Sequence, residues 1–317
     1  MKHSVTAVVP VYNSAGLLRD AVASIRSQGW PGLRIVVVDD GSKDDTAGVA
    51  GELASDDLAV LRQSNAGPAA ARNAGIALAQ TDWIAFLDAD DLWLPQKLQI
   101  QFEALQKSPG AAFAYGDALH RYPSGQELRQ RPRAAPRRLF LDLLLGPEFF
   151  TSSVIVRRSC FEEIGGFDPE LRTGEDWDMW LRLSDRYEST YVPEPLIVYR
   201  VSEGIRYSSD LLERCTLRVL DRLFARTETR RRWPALASSR GRIYAWHYSV
   251  LAKSHLRQKR IVSFGRLAFA AICADYHGAH FLARRWRATA GRPRLVESDA
   301  AAPAAGPPRF RGTSKIL

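Results

Sequence analysis

The run Trp83–Trp93, WIAFLDADDLW, sets three carboxylates, Asp88, Asp90 and Asp91, at the end of an apolar stretch. Like charges that close repel and raise one another's pKa, so the cluster costs stability unless water or a cation absorbs the charge. Capping a helix takes one carboxylate, and this turn supplies three. Such a set suits a hard divalent cation, Mn²⁺ or Mg²⁺, which takes one or two protein oxygens and completes its shell with substrate phosphates and water. The expected cofactor is therefore a divalent metal and the expected substrate a phosphorylated one. Two other acidic pairs stand out: Asp39 and Asp40 in VVVDDGSKDDT, and Glu175 and Asp176 in GEDWDMWLRL. Either pair could also be ordinary turn or cap chemistry, and Asp44 is read as a helix cap. Arg72 in NAGPAAARNAGI follows the tight entry of Gly67 and Pro68, where an arginine could serve a diphosphate or a base edge.

The elements that must hold these residues are four alternations of apolar strand and amphipathic helix, which predict an α/β fold with a parallel sheet. The strands are VTAVVPVYN, LRIVVVDDGS, LAVLRQ and WIAFLDADD; the helices run from about Ala15 to Ser27, from about Asp44 to Ser55, from NAGPAA to near Ala79, and from Pro95 to Lys107. Open parallel sheets bind ligands at the carboxyl ends of their strands. Three of the four strands end in polar residues there: Tyr12 and Asn13, then Asp39 to Ser42, then the DADD turn. Further along, AAFAYGDALHRY predicts a strand, Pro123 to Arg138 a loop, and TSSVIVRRSCFEEIGGF a strand entering a helix. GEDWDMWLRLSDR starts another helix, and YVPEPLIVYRV predicts an edge strand because of its prolines.

VVPVYN, VVVDDGSKDDT, NAGPAAARNAGI, FLDADD and GEDWDMWLRL, in this order, resemble the family 2 inverting glycosyltransferases over roughly residues 4–205. The resemblance implies the A-type glycosyltransferase (GT-A) fold, a Rossmann-like, mostly parallel sheet flanked by helices, with a helical C-terminal extension. It implies a metal-dependent transfer of a sugar from a nucleotide-diphosphate donor, a UDP-sugar, to a saccharide or lipid-linked hydroxyl acceptor, in cell-surface polysaccharide or glycolipid synthesis. By position, Asp39 would accept from the N3 hydrogen of a uracil-like base, Tyr12 would pack on the ring, and Pro10 would shape the first loop. Asn13, Asp40, Arg72 and Asp88 join the donor set, and Asp90 would hold the metal on the diphosphate. Asp91 would orient the loop, Asp176 would be the catalytic base with Glu175 beside it, and Trp177 or Trp180 would border the acceptor pocket. An inverting transfer needs a base on the acceptor hydroxyl and a metal against the charge growing on the leaving diphosphate. At a helix amino end the dipole is expected to keep Asp176 ionised. Relatives often carry a histidine shortly after the Tyr-Arg pair matching Tyr199 and Arg200. Here Val201 and Ser202 follow, so Arg200 or Arg206 is expected to support the diphosphate instead.

Charge divides the chain. Residues 1–212 hold 22 Lys+Arg and 29 Asp+Glu, whereas 213–317 hold 22 and 6. The division expected is a catalytic domain over 1–210, a basic helical region over 211–290 and a disordered tail over 291–317. The basic helices could lie on an anionic membrane surface or present a solvated arginine face. Nucleic acid is not an expected partner, because the acidic strand ends would repel phosphate backbones. The most apolar run, Phe264–Ala283, is interrupted by Arg266, Asp275 and two histidines, so no span is expected and the reading is cytoplasmic, peripheral at most on the inner face of the plasma membrane. Cys160, Cys215 and Cys273 match no metal spacing. The competing readings are a nucleotidyltransferase, for which VYNSAGLL lacks the glycine-rich loop and lysine, and a non-catalytic nucleotide-binding protein of the same fold.

Overall fold

The computed structural model describes residues 3–132, 138–201, 207–275 and 296–297. The apolar runs and helical periods at the start of the chain become β1 (Val5–Val11), α1 (Ala15–Arg26), β2 (Leu33–Asp39), α2 (Thr46–Leu53), β3 (Leu58–Arg62), α3 (Pro68–Leu78) and β4 (Trp83–Phe86). Next come β5 (Leu92–Trp93), α4 (Lys97–Lys107), β6 (Ala111–Arg121), β7 (Glu127–Gln130), α5 (Leu139–Leu143), β8 (Ile155–Arg157), α6 (Ser159–Ile164), α7 (Glu175–Arg186) and β9 (Glu188–Arg200). The basic section supplies α8 (Ser209–Ala225), α9 (Thr227–Arg232), α10 (Ala235–Arg257) and α11 (Ile261–Ala274), followed by β10 (Val296–Glu297).

All strands share one sheet, with β4, β1, β2 and β3 parallel and adjacent. Beyond β4 the sheet turns mixed, since β8 runs antiparallel to β4 and β6 antiparallel to β8. Two expectations need correction. The stretch Pro123–Arg138 is not all loop, because Glu127–Gln130 folds back as β7 on β6. Nor is β9 an edge strand: it pairs parallel with β6 and antiparallel with β5, and its prolines fall where the register shifts, between Val192 opposite Gly116 and Pro195 opposite Asp117. A bulge leaves a ladder position unpaired, so proline's missing N–H costs nothing there. The segment 291–317 lies outside the described residues except for β10, which pairs with β7.

Strand alternation gives the sheet two buried faces. Along β1, Val5, Ala7, Val9 and Val11 join α1, α2 and α4 on one side, while Val8 faces the other. The second side is covered by α5, α6 and α7, and also by Val219, Leu220 and Phe224 of α8 and Ile243 and Tyr244 of α10. Helices α8 and α10 therefore share the core on this face of the sheet, and a boundary at residue 210 does not separate two cores.

Fully buried Lys97 lies on the first face, its Nζ donating to Gln101 Oε1 at 2.7 Å and standing 4.3 Å from the Trp93 ring centroid. Burial pushes its ammonium down to about 7. From there up to the ordinary lysine value the unfolded chain binds the extra proton, so stability rises with pH across that window. Urea unfolding at pH 7 and at about pH 9.5 should reveal this rise, and Lys97→Met should remove it while holding or raising stability at pH 7 by about 1 kcal/mol. A wild-type stability that is flat with pH would show the ammonium to be well compensated where it lies.

Candidate functional site

A cleft of about 810 Å³ opens at the carboxyl ends of β1, β2 and β4, between the amino ends of α3 and α7. Pro10, Tyr12, Asp40, Arg72, Asp88, Asp90, Glu175 and Asp176 line it together, although they span more than half the chain. Tyr207 and Leu211, at the start of α8, close one side.

Buried Arg72 organises the centre. One end donates to Asp88 Oδ1 and the other to Glu175 Oε1, each at 2.7 Å, and its guanidinium lies 5.4 Å from the Phe167 ring centroid. Both carboxylates hold it strongly protonated against the cost of burial. Arg72, expected near a diphosphate or a base edge, lines the cleft and bridges the acidic turn to the helix that carries Asp176.

The carboxylates of Asp88 and Asp91 point to different partners. Asp88 is held by Arg72, and its backbone N–H donates to Ser152 Oγ at 3.1 Å. Asp91 is buried beneath the turn, where Ser152 Oγ donates to its Oδ2 at 2.6 Å. Burial, together with Asp88 and Asp90, pushes the Asp91 acid well above the usual carboxylate range. Asp91 is thus held inside the turn, while Asp90 and the partly exposed Asp88 line the cleft. Hard oxygen donors in that number fit Mg²⁺ or Mn²⁺ that completes its shell with a ligand's phosphates.

Asp176 is still mostly ionised at neutral pH, but the helix dipole is not what sets its acid. Its acid is raised to about 6, chiefly by burial and then by the adjacent Glu175, with Arg72 opposing. The dipole acts only through the first turn, where the Trp177 N–H donates to Asp176 Oδ1 at 2.7 Å, and desolvation outweighs it. Thr151 Oγ1 donates to Asp176 Oδ2 at 3.4 Å.

Other expected residues build the walls. Asp40 accepts from Gln63 Nε2 and from the backbone N–H groups of Ala66 and Gly67, all at 2.8 Å, so its carboxylate fixes the loop before α3 at the cleft wall. Asn13 Oδ1 accepts from the Lys43 N–H at 2.8 Å, tying the β1 loop to the β2 loop. Asp39 is fully buried; its Oδ1 accepts from the Ser42 N–H, while Oδ2, 3.2 Å from Arg62 Nε, receives no hydrogen bond from the described residues. Trp177 and Trp180 do not border the cleft. Trp177 is buried, with Nε1 donating to the Leu143 carbonyl and its ring against His247, and Trp180 is fully buried among Phe86, Phe149 and Phe167. Their spacing of three puts both on the core face of an amphipathic helix. Arg200 pairs with Asp20 at 3.1 Å and does not line the cleft, while Ser202 and Arg206 lie outside the described residues.

Arg172 lines the cleft and went unnoticed in the sequence, where its only signal is a cation three residues before Glu175. It reaches over Gly67, whose φ of +93° favours glycine; a Cβ there would meet the flexible end of Arg172, 2.8 Å from Nη1. Among the described residues Asp210, Glu213 and His255 also approach closely enough to share a cation, but Arg260 pairs with Asp210 and Arg266 with Glu213. That cluster is already neutralised by arginine.

The "Glycosyl transferase family 2" family matches residues 6–165. An uncharacterized glycosyltransferase of Rickettsia typhi is 30% identical over 207 residues, 63% of this chain and 64% of that protein. The pre-mycofactocin glycosyltransferase of Mycobacterium tuberculosis is 35% identical over 210 residues, 58% of this chain and 41% of that protein. The chain thus spans less than two thirds of the length of these relatives. Among solved structures, S. aureus TarS 1-349 in complex with UDP-GlcNAc superposes with a TM-score of 0.56 at 18% identity, covering 84% of this chain and 91% of that one. The fold is of the GT-A type, and the chain belongs to the family 2 glycosyl transferases.

Proposed function

We propose that the chain transfers a sugar, with inversion, from a UDP-sugar to a hydroxyl of a saccharide or lipid-linked acceptor, assisted by Mn²⁺ or Mg²⁺. The observation that carries this reading is the Arg72 bridge, which fixes the acidic turn and the Glu175–Asp176 helix start on facing walls of one cleft. In this reading Asp176 takes the proton of the acceptor hydroxyl as its oxygen bonds to the anomeric carbon and the bond to the diphosphate breaks. Asp90, with Asp88, would hold the divalent cation, which neutralises charge on the leaving diphosphate when bound. Arg172 adds a cation from the opposite wall. Tyr12, 43% exposed, offers a face for the base. In this reading Asp39 Oδ2, which receives no hydrogen bond from the described residues, would accept from a uracil N3–H. That TarS was solved with UDP-GlcNAc supports a UDP-sugar donor here.

Calorimetry with UDP tests the donor site. Binding is expected to require Mn²⁺ or Mg²⁺ and to weaken by at least about tenfold in Asp90→Ala. Metal-independent binding would remove Asp90 from its role. Absence of binding by every nucleoside diphosphate would overturn the reading.

A further inference from the structure

We propose that the outer face of α11, with the basic corner that precedes it, docks on an anionic lipid bilayer and holds the mouth of the cleft at the membrane surface. On α11, Val262 is 88% exposed, Phe269 67% and Ile272 48%, and the spacing puts all three on one stripe of the helix. The opposite stripe, through Phe264 and Leu267, packs against Leu251 and Ala252 of α10. Large apolar side chains left out in this way on one face mark a contact surface.

Charge selects the occupant. Residues 235–275 carry seven Lys+Arg against one acidic residue, Asp275, and two of the seven, Arg260 and Arg266, pair with Asp210 and Glu213 of α8. Arg257 and Lys259 stand at the α10–α11 corner beside Ile261, which is 62% exposed, while Arg260 between them and Ile261 is held by Asp210. A second copy of the same face would meet its own positive charge. A bilayer with anionic headgroups answers both halves of the pattern, burying the apolar stripe at the acyl boundary and pairing the cations above it.

Position gives the surface a use. The Ser209 N–H donates to Gln258 Oε1 at 3.1 Å, Ser209 Oγ and Ser254 Oγ share a hydrogen bond of 2.9 Å, and Arg260 pairs with Asp210. These contacts fasten the corner to the segment whose Tyr207 and Leu211 line the cleft. A membrane under α11 therefore lies beside the site, which points to the lipid-linked class of acceptor; that last step rests on the transferase reading, whereas the docking does not.

The test is sedimentation of the full chain, without nucleotide, with vesicles of phosphatidylcholine alone or with a third of the lipid as phosphatidylglycerol. Binding is expected only to the second. It should fall by at least about tenfold in the double variant Val262→Ser, Phe269→Ser. It should fall about fivefold for each of Arg257→Gln and Lys259→Gln at low salt. Asp90→Ala should leave it unchanged, which separates this surface from the donor site. Cys273 is exposed while Cys160 and Cys215 are buried, so an environment-sensitive thiol dye reports from beside the stripe and should shift to the blue on anionic vesicles. Failure to sediment, or equal sedimentation of the face variant, overturns the proposal. So does a Cys273 that reacts only after denaturation, since the chain itself would then cover the face, or self-association that the face variant abolishes without any vesicle binding.

Discussion

Asp176→Asn is expected to lower kcat by about 10²- to 10⁴-fold while leaving UDP binding nearly unchanged, because it removes the proton acceptor and keeps the side chain's size. The pH profile is the sharper readout. Asp176 accepts a proton only when ionised, and burial beside Glu175 raises its acid to about 6. Wild-type turnover should therefore fall as pH drops through about 6 and level off above it. Glu175→Gln removes the neighbouring negative charge and should move that limb to lower pH. Initial rates across pH 4.5–8 with a UDP-sugar donor would decide it. An Asp176→Asn enzyme that keeps both rate and limb would place the base on another residue.

Arg72→Met should cost about 3–5 kcal/mol of folding stability, the largest loss expected from any single change in the cleft. The arginine is 4% exposed, and removing it strands Asp88 and the buried Glu175 without their shared counter-charge. Urea unfolding of Arg72→Met, Glu175→Gln and the double variant measures the coupling. The double variant should recover part of the loss, since a neutral amide no longer needs the cation. Strict additivity, or a loss below about 1 kcal/mol, would mean that water already compensates these groups.

The parts of the fold that could be read from sequence were those with local signals. Each of the four early βα units announces itself by an apolar run, a polar turn and a helical period, and the acidic turns stand out because apolar residues surround them. Trp177 and Trp180 adjoin the acidic GED motif, but the period of α7 puts them in the core. β7 carries one buried apolar residue, Leu128, too few for a strand pattern. The prolines of β9 suggested an edge because nothing local reveals the bulge that accommodates them. The bridge through Arg72 joins residues 16 and 103 positions apart, so it exists only after the sheet has folded. The raised acid of Asp176 has the same origin, for burial is a tertiary quantity that a helix-start pattern does not carry.

The share that α8 and α10 take in the second face of the sheet has a consequence during synthesis. When α7 has been made, the apolar surface that Phe224, Ile243 and Tyr244 will cover is still bare. Nearly 60 residues separate the end of α7 from Tyr244, roughly 3 to 12 s of translation at ordinary ribosomal speeds. In that interval the nascent chain is a natural client for chaperones that shield apolar surface. A polypeptide released at residue 210 would keep every carboxylate of the cleft and lack the cover that holds them in place.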